Sequence, residues 1–450
     1  MRNGIRFFGA LAVAISIVLL TQCGMSQNKG YNKFVHETLP NGLDLIIKYN
    51  PDSRVYAINI LGKNRSLLEP EGKTGITDFV NRMLVSGADG MNAVEVQNAL
   101  DDIGADITAN DNPYIPYDDR YTSRAYSFIK FETIDEYAAD GTNLLYRVLS
   151  KPDFPDEEID KIKKQVMGLM GMKFGSTYQN ARDLFYDKLF ADFPFSKPVM
   201  GDYRSVEGFT RDDLIAYHKK FYAPNNMIMA IVTNVDPDTV KSWVYDTFGK
   251  MAKNESEYPN LPIPGSIVGR VEANYEMDKD QIYIYMGGLC PGLNSFDAPA
   301  IDMAASIISS RMRENLREKQ GLAYSVGMGV NFMPEFGWLV AAMGTGYENY
   351  DKARDGMLAE IVKLKDAPPT NDELMTAQNS TWGSMLLARA SRINQAYYMC
   401  KNEFLGVGYD YEDDYISKIR AVKPTDILRV VEDYFDTDNI VIASAGKKSR

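Results

Sequence analysis

Histidine is scarce in this chain, and that scarcity excludes a conventional zinc-hydrolase motif. The 450 residues contain two histidines, His36 and His218, which lie 182 positions apart. A catalytic zinc ion needs three protein ligands, usually histidines with a carboxylate. Neither histidine has a second one at helical spacing, so each is interpreted as a surface or hydrogen-bonded residue. We find no Ser, His and Asp set that predicts nucleophilic catalysis.

Cysteine is also rare. The chain has three cysteines, of which Cys23 lies in the N-terminal segment. Cys290 and Cys400 are 110 positions apart, and this spacing says little about pairing. Export would permit a disulfide between them, but we favour two buried free thiols.

The chain lacks an excess of positive charge. Its 49 Lys and Arg residues against 61 Asp and Glu residues give a net charge of −12. Nucleic acid is therefore not an expected partner, because phosphates bind to basic surfaces. The 45% of hydrophobic and 24% of charged residues are typical of a globular protein. Since 450 residues are too many for one hydrophobic core, two or more domains are predicted.

Residues 1–23 have the features of an export signal. Arg2 and Arg6 precede an apolar run, Phe7–Leu20, that is short for a membrane span. The run ends in Leu-Thr-Gln-Cys, which resembles a bacterial lipoprotein cleavage site except at Gln22. We expect a lipid on Cys23 and an exported, periplasmic protein anchored to a membrane. Plain secretion and an uncleaved anchor are the alternatives.

Two pairs of segments indicate an internal duplication. "RDDLIAYHKKFYAPNNMIMAIV" from Arg211 matches "PTDILRVVEDYFDTDNIVIASA" from Pro424, 213 positions later. Each predicts an amphipathic helix, a turn and a short strand, and Thr210 with Asp213 forms a capping-box pattern. A second pair, from Phe154 and Pro368, has nearly the same offset. Two matches at one offset favour two copies of one domain.

The predicted architecture is α+β. Residues 30–255 form the first domain, residues 256–265 a proline-containing linker, and residues 266–450 the second domain. "NGLDLIIKYN" and "VYAINILG" are predicted to form a hairpin, and "QIYIYMGG" and "GWLVAAMGTG" to be strands of the second domain. Long helices are predicted over Asp297–Glu318, Asp351–Lys365 and Asn371–Met399. Each domain is thus expected to have an antiparallel-rich sheet with helices on one face.

The stretch "GITDFVNRML", Gly75–Leu84, has metal-site spacing without metal-binding residues. Asp78, Asn81 and Arg82 stand at i, i+3 and i+4, the spacing of the inverted zinc motif H-x-x-E-H. Arg82 would repel a dication by roughly 4 kcal/mol per unit charge at about 4 Å, and twice that for two charges. Asn81 cannot act as a general base. We interpret the stretch as a core helix whose opposite, polar face carries an Asp78–Arg82 pair that contributes about 0.3–0.5 kcal/mol.

With these motifs the chain resembles the M16 peptidases, the family of insulinase, pitrilysin and mitochondrial processing peptidase. Gly75–Leu84 corresponds to the family's G-x-A-H-x-x-E-H-M-L, and Ile308–Val326 to S-S-R-L-x-x-x-L-R-E-x-x-G-L-A-Y-S of its zinc-free half. Leu39–Pro51 and Phe221–Val232 extend the resemblance. It implies two tandem homologous domains that form half of a clam-shell around peptides.

The resemblance also implies residue roles. The family's third zinc ligand would fall near Gly168 or Leu169, where no Glu is present between Gln165 and Lys173. Arg317 and Tyr324 match an Arg and a Tyr that the zinc-free subunit supplies to its partner's active site. The resemblance implies that they bind the substrate backbone there, beside the scissile bond.

The predicted function is therefore that of a non-catalytic subunit. We expect a heterodimer with a zinc-bearing M16 chain, in which this chain helps to enclose the peptide substrate and holds no metal or other cofactor itself. Alone it should not cleave peptides. The alternative is a structural or peptide-binding module of a membrane-associated assembly, without any part in proteolysis.

Overall fold

The computed structural model describes residues 33–110 and 123–447, which form two α+β halves with one six-stranded sheet each. The strands of the first half are β1 (Lys33–Thr38), β2 (Asp44–Tyr49), β3 (Val55–Gly62), β4 (Gly87–Ala88), β5 (Met91–Asn92), β6 (Asp106–Thr108), β7 (Ser127–Ile134) and β8 (Met227–Thr233). Its helices are α1 (Arg65–Leu68), α2 (Ile76–Met83), α3 (Ala93–Asp102), α4 (Ala138–Ser150), α5 (Asp156–Phe174), α6 (Thr177–Leu189), α7 (Tyr203–Glu207), α8 (Arg211–Phe221) and α9 (Pro237–Asp246).

The second half repeats this composition of strands and helices. Its strands are β9 (Val271–Tyr275), β10 (Gln281–Gly287), β11 (Leu289–Pro291), β12 (Val326–Phe332), β13 (Phe336–Gly346) and β14 (Val441–Ala445). Its helices are α10 (Ala298–Met312), α11 (Tyr350–Asp366), α12 (Asn371–Ala388), α13 (Arg392–Phe404), α14 (Glu412–Ala421) and α15 (Pro424–Tyr434). Residues 251–270 between the halves contain neither helix nor strand, and the predicted linker lies among them.

The two sheets share a topology, as the predicted duplication requires. In the first, β8 lies between β2, to which it is parallel, and β3, to which it is antiparallel. In the second, β14 lies between β9 and β10 with the same directions. Helices α8 and α15 keep the 213-residue offset at both ends. The Thr210–Asp213 capping box is formed, as predicted.

The predicted hairpin of β2 with β3 is wrong. The order of the first sheet is β1-β2-β8-β3-β7-β6, so β8 separates the two strands. All seven residues of β8 are buried. A strand with no polar side is stable only in the middle of a sheet that is covered on both faces. The free energy gained by burying β8 therefore outweighs the tendency of β2 and β3, which are joined by a short connection, to pair as a hairpin.

The single helix predicted over Asn371–Met399 is also wrong. The chain forms α12, turns, and starts α13 after Ser391, whose side chain accepts a hydrogen bond from the Asn394 backbone N–H. An N-cap serine of this kind starts a new helix. The helix predicted over Asp297–Glu318 also changes character, because α10 ends at Met312 and a wider π-helical turn covers Arg313–Glu318.

Each sheet has its own helices on one face and a helix of the other half on the second face. Helix α13 packs on β3 and β8 of the first sheet, and α6 packs on β10 and β14 of the second. Residues of both sheets and both helices form one shared apolar cluster, which includes Phe128, Phe185, Trp338 and Tyr397. The two halves therefore share a core and are not simply tethered domains.

Polar contacts fix α13 against the first sheet. The buried Arg392 guanidinium donates to the backbone carbonyls of Val55, at 2.6 Å, and Asn50. The Cys400 thiol lies 3.4 Å from the Asn59 carbonyl oxygen. The structure has both Cys290 and Cys400 as buried free thiols, as we favoured. Burial raises the pKa of Cys290 to about 12, which makes its thiol unreactive at neutral pH.

We predict that Arg392→Ala lowers the free energy of unfolding by about 2–3 kcal/mol, because it removes charged donors from two interdomain carbonyls. Urea unfolding followed by circular dichroism measures the loss. The matched control is Arg420→Ala, which removes an exposed arginine of the same half that contacts Trp382. It should cost under about 0.5 kcal/mol. Equal costs for the two variants would show that the interdomain bonds of Arg392 do not stabilise the fold.

Candidate functional site

Helix α2 carries the degenerate motif and lies inside the protein. It begins after Gly75, whose φ of +84° places the chain in the left-handed region. A Cβ at Gly75 would lie 2.4 Å from the backbone nitrogen of Gly201, so this loop tolerates glycine alone. All eight residues of α2 are buried. The apolar side is buried as expected of a core helix, but the polar side, which we expected at the surface, is buried as well, because α5, α7 and α8 pack around the helix.

Asp78 and Arg82 form the predicted i,i+4 pair, but they form it in the interior. The Arg82 Nε atom donates to Asp78 Oδ2 at 2.7 Å and a terminal nitrogen of Arg82 donates to Oδ1 at 3.3 Å. The two side chains are only 8% and 2% exposed. The guanidinium thus occupies, with its own counter-ion, the place that a zinc ligand would take. A buried pair differs from a surface pair, since removal of one partner leaves an uncompensated charge.

The Asn81 amide uses its hydrogen-bonding capacity within the protein. Its nitrogen donates to the Ala109 carbonyl at 2.8 Å and to Ser127 Oγ at 2.6 Å, while its oxygen accepts from the Tyr222 hydroxyl. Burial raises the pKa of Tyr222, which therefore stays protonated and keeps donating. An amide held in this way cannot accept a proton from water. Asn81, which the resemblance aligns with the family's general base, is a structural link between α2, β7 and the end of α8.

The predicted position of the third ligand offers no metal-binding atom. Gly168 is exposed and Leu169 half-buried on α5, which packs against α2. Neither residue has a side chain that can coordinate a cation. The residues present at all four positions therefore do not fit zinc.

A buried carboxylate beside α2 is a feature that sequence reasoning missed. Glu69 accepts hydrogen bonds from the backbone N–H groups of Gly75 and Thr77 and from the Thr77 hydroxyl, at 2.9, 3.3 and 2.8 Å. Burial raises the pKa of Glu69, and the charge of Arg65 acts against that rise. The carboxylate satisfies free N–H groups at the start of α2 from outside the helix. Because it precedes the helix by several residues, no local capping pattern reveals it.

Arg317 and Tyr324 lie together on the surface of the second half. Arg317 is exposed in the π-helical turn, and Tyr324, two residues before β12, is 89% exposed. The guanidinium carbon lies 5.6 Å from the centre of the tyrosine ring. Within the described part of the chain, Arg317 forms no ion pair. Five guanidinium donors and one hydroxyl are thus presented to solvent side by side.

A cleft of about 1070 Å³ lies between the two halves. Its walls include hydroxyl side chains from two facing helices, namely Ser306, Ser309 and Ser310 of α10 and Ser380, Thr381 and Ser384 of α12. The edge strand β12 contributes residues 328–332. Arg317 and Tyr324 lie outside the cleft lining. Hydroxyls beside a strand edge suit the backbone of an extended peptide.

His218 is a buried, hydrogen-bonded histidine, one of the two roles expected for it. Its Nε2 atom lies 2.7 Å from the Leu149 carbonyl oxygen, to which it donates. Burial lowers the pKa of His218 to about 4, and this hydrogen bond partly offsets the effect. Its role is structural, because the neutral ring holds α8 against the end of α4.

The comparisons with known proteins agree with this picture. Residues 208–381 match the family described as Peptidase M16 inactive domain. An uncharacterized zinc protease of Rickettsia felis is 24% identical over 407 residues, which cover 89% of this chain and 94% of the relative. The chain is M16-like. The motif residues of α2 nevertheless depart from the zinc ligands of the family.

Solved structures extend the likeness in fold to nearly the whole chain. The M16 inactive domain from Pseudomonas fluorescens has a TM-score of 0.84 and 18% identity, with 93% of this chain and 99% of that chain covered. A protease from Helicobacter pylori has a TM-score of 0.81 and 17% identity, with coverages of 93% and 100%. The predicted α+β clam-shell half is therefore confirmed.

The predicted leader and Cys23 lie outside the described residues. None of the helices in residues 33–110 and 123–447 is long and apolar enough to cross a membrane.

We predict that Asp78→Asn costs about 3–5 kcal/mol of unfolding free energy, because it leaves the buried Arg82 charge without its partner. The double change Asp78→Leu with Arg82→Met should recover most of that loss, since it removes both charges. Urea unfolding of the two variants and the wild type measures the difference. A loss of about 0.5 kcal/mol in both variants would instead indicate a surface pair.

We also predict that His218 makes stability depend on pH. Free histidine has a pKa of about 6.5, so below that pH the unfolded chain gains a proton that the folded chain refuses. The contribution of His218 to the free energy of unfolding is fully present above pH 6.5. It falls by about 2–3 kcal/mol as the pH approaches 4. His218→Gln should weaken this dependence while keeping a donor for the Leu149 carbonyl. Urea unfolding at several pH values tests this, and parallel curves for both proteins would contradict it.

Proposed function

We propose that this chain is the zinc-free subunit of a heteromeric M16-type peptidase. It would bind a zinc-bearing chain, close the peptide chamber and place Arg317 and Tyr324 in the partner's active site. The export signal supports a periplasmic location with a lipid anchor at Cys23. Its acidic surface suits a protein or peptide partner and disfavours nucleic acid.

The observation that carries the proposal is the exposed pair of Arg317 and Tyr324. Tyr324 is 89% exposed and lies beside an exposed guanidinium, so the donors of both side chains are open to a second chain. In α2, by contrast, the polar side chains of Asp78, Asn81 and Arg82 are turned inward and satisfied by the protein. The chain has thus lost its own catalytic groups and kept surface donors that a second chain could use.

The chemistry expected of the pair follows from its donors. In the complex, the partner's zinc would supply the activated water molecule. The Arg317 guanidinium and the Tyr324 hydroxyl would donate to peptide carbonyls beside the scissile bond and would stabilise the negative charge that develops there. Both groups do this in their ordinary protonation states. They therefore orient the substrate and need no general base in this chain.

The second candidate function is a structural or peptide-binding module without a part in proteolysis. The observation that favours it is the hydroxyl-lined cleft, which could hold an extended peptide without help from Arg317 or Tyr324. Peptide would then bind to the chain alone, and no zinc-bearing partner would be required.

We predict that Arg317→Ala and Tyr324→Phe each lower the kcat/KM of the mixed complex by about 10- to 100-fold, because each removes a donor to the reacting carbonyl. The complex is purified from native membranes and assayed with a quenched peptide. Lys319→Ala is the matched control, since it removes an exposed charge from the same segment. It should leave turnover unchanged.

Two outcomes would refute the proposal. Unchanged turnover with both Arg317→Ala and Tyr324→Phe would favour the module without a catalytic role. Chelator-sensitive hydrolysis by the isolated chain would show that it carries its own active site.

A further inference from the structure

A separate polar cluster lies where the two halves meet. It consists of His36 on β1, Asp44 at the start of β2 and Glu403 near the end of α13. His36 Nε2 lies 2.8 Å from Asp44 Oδ1 and 3.9 Å from Glu403 Oε1. All three ligand atoms lie within 4.8 Å of one another. The first half supplies two of them and the second half supplies the third.

These separations are close to those of atoms that share a metal ion. Zinc binds nitrogen and oxygen at about 2.0–2.2 Å, so two ligands of a tetrahedral site lie roughly 3.4 Å apart. The observed distances of 2.8 and 3.9 Å bracket that value. Small rotations of the Asp44 and Glu403 side chains would therefore bring all three atoms to one cation. Imidazole with two carboxylates is a ligand set that suits divalent transition metals.

The charges at the cluster also favour a cation. Two carboxylates face one imidazole, and no lysine or arginine among the described residues forms an ion pair with either of them. Lys63 attracts Asp44 only from beyond ion-pair distance. Two nearby carboxylates repel each other, and one imidazole can offset at most one of the two charges. A dication would neutralise both carboxylates at once.

The surrounding structure holds the three side chains in place. The antiparallel register of β1 and β2 pairs Thr38 with Asp44, so His36 lies one diagonal step from Asp44 on the same face. The Tyr409 ring packs edge-on against the His36 ring, with centroids 5.0 Å apart, and the Tyr409 backbone N–H faces Glu403. The His36 side chain is 32% exposed, which leaves a path for an ion from solvent.

We propose that His36, Asp44 and Glu403 form a binding site for one divalent cation of the zinc type. Three protein ligands leave a position for water. The ion would tie the β1–β2 hairpin of the first half to α13 of the second and so strengthen the shared core. The site is distinct from α2, and it departs from our sequence-based expectation that the chain holds no metal.

Metal titration of the purified full chain tests this proposal. The protein is stripped with chelator and titrated with Zn²⁺ in a calorimeter, with Mn²⁺ and Ca²⁺ as comparison ions. We expect one Zn²⁺ per chain and a higher midpoint of thermal unfolding when zinc is bound. His36→Gln and Glu403→Gln should each weaken zinc binding at least about tenfold and abolish the thermal shift.

Two control variants separate this site from its surroundings. Glu37→Gln changes the next residue of β1, which points to the other face and pairs with Lys241 at 2.6 Å. The double change Asp78→Leu with Arg82→Met alters the degenerate motif of α2 and should keep most of the stability, because it removes both charges. Both should bind zinc as the wild type does. X-ray absorption of the zinc-loaded protein should show nitrogen and oxygen ligands, including an imidazole, even if one of the ligand variants fails to fold.

The proposal is overturned by any of three results. These are less than one zinc per chain at saturation, unchanged affinity in both His36→Gln and Glu403→Gln, and a zinc shell that contains sulfur. Loss of zinc in the folded double variant Asp78→Leu with Arg82→Met would also overturn it, because the ion would then lie at α2.

Discussion

The exchange of helices between the halves is the constraint on which the rest of the structure depends. Each sheet has two apolar faces, and its own helices cover only one of them. Helix α13 covers the second face of the first sheet, and α6 covers the second face of the second sheet. Because burial of apolar area is the main stabilising term, neither half could expose that face to water. The exchange fixes the relative position of the halves. It therefore determines the shape of the cleft, the exposure of Arg317 and Tyr324, and the junction at which His36 lies.

The residues of α2 that stand at zinc-motif spacing have hydrogen-bonding or ionic partners within the protein. An arginine in a helix that is buried on all sides needs a counter-ion, and Asp78 supplies it four residues earlier. An asparagine in the interior needs partners for both of its polar atoms, and Ala109, Ser127 and Tyr222 supply them. The helix has therefore become a polar, fully satisfied part of the core. Zinc binding by α2 would require several simultaneous changes, since each present residue holds another in place.

The two proposals place function at the edges of this core. Arg317 and Tyr324 lie on the surface of the second half, where a second chain could use their donors. The proposed metal site lies at the junction of the halves, and an ion bound there would stabilise the fold. One proposal concerns what this chain gives to a partner, and the other concerns how the chain holds itself together. They rest on different residues and can fail independently.

The sequence by itself determined the local and repeated features. The periods of its helices and strands, the capping box at Thr210 and the 213-residue offset all follow from residues close together in the chain or from direct comparison of two segments. It also determined that α2 cannot bind zinc, because the chemistry of Asn81 and Arg82 does not depend on the fold. The Asp78–Arg82 pair was predictable from helical spacing, although its burial was not.

Only the tertiary structure decided which distant residues meet. It placed β8 between β2 and β3, packed α13 of the second half on the first sheet and buried α2 on every side. His36 has no helical companion in the sequence, yet Asp44 reaches it across a strand pair and Glu403 reaches it from the other half. Glu69 likewise stabilises the start of α2 from outside the helix. Such contacts depend on which elements, far apart in the chain, pack their apolar faces together. Local sequence patterns do not determine that packing.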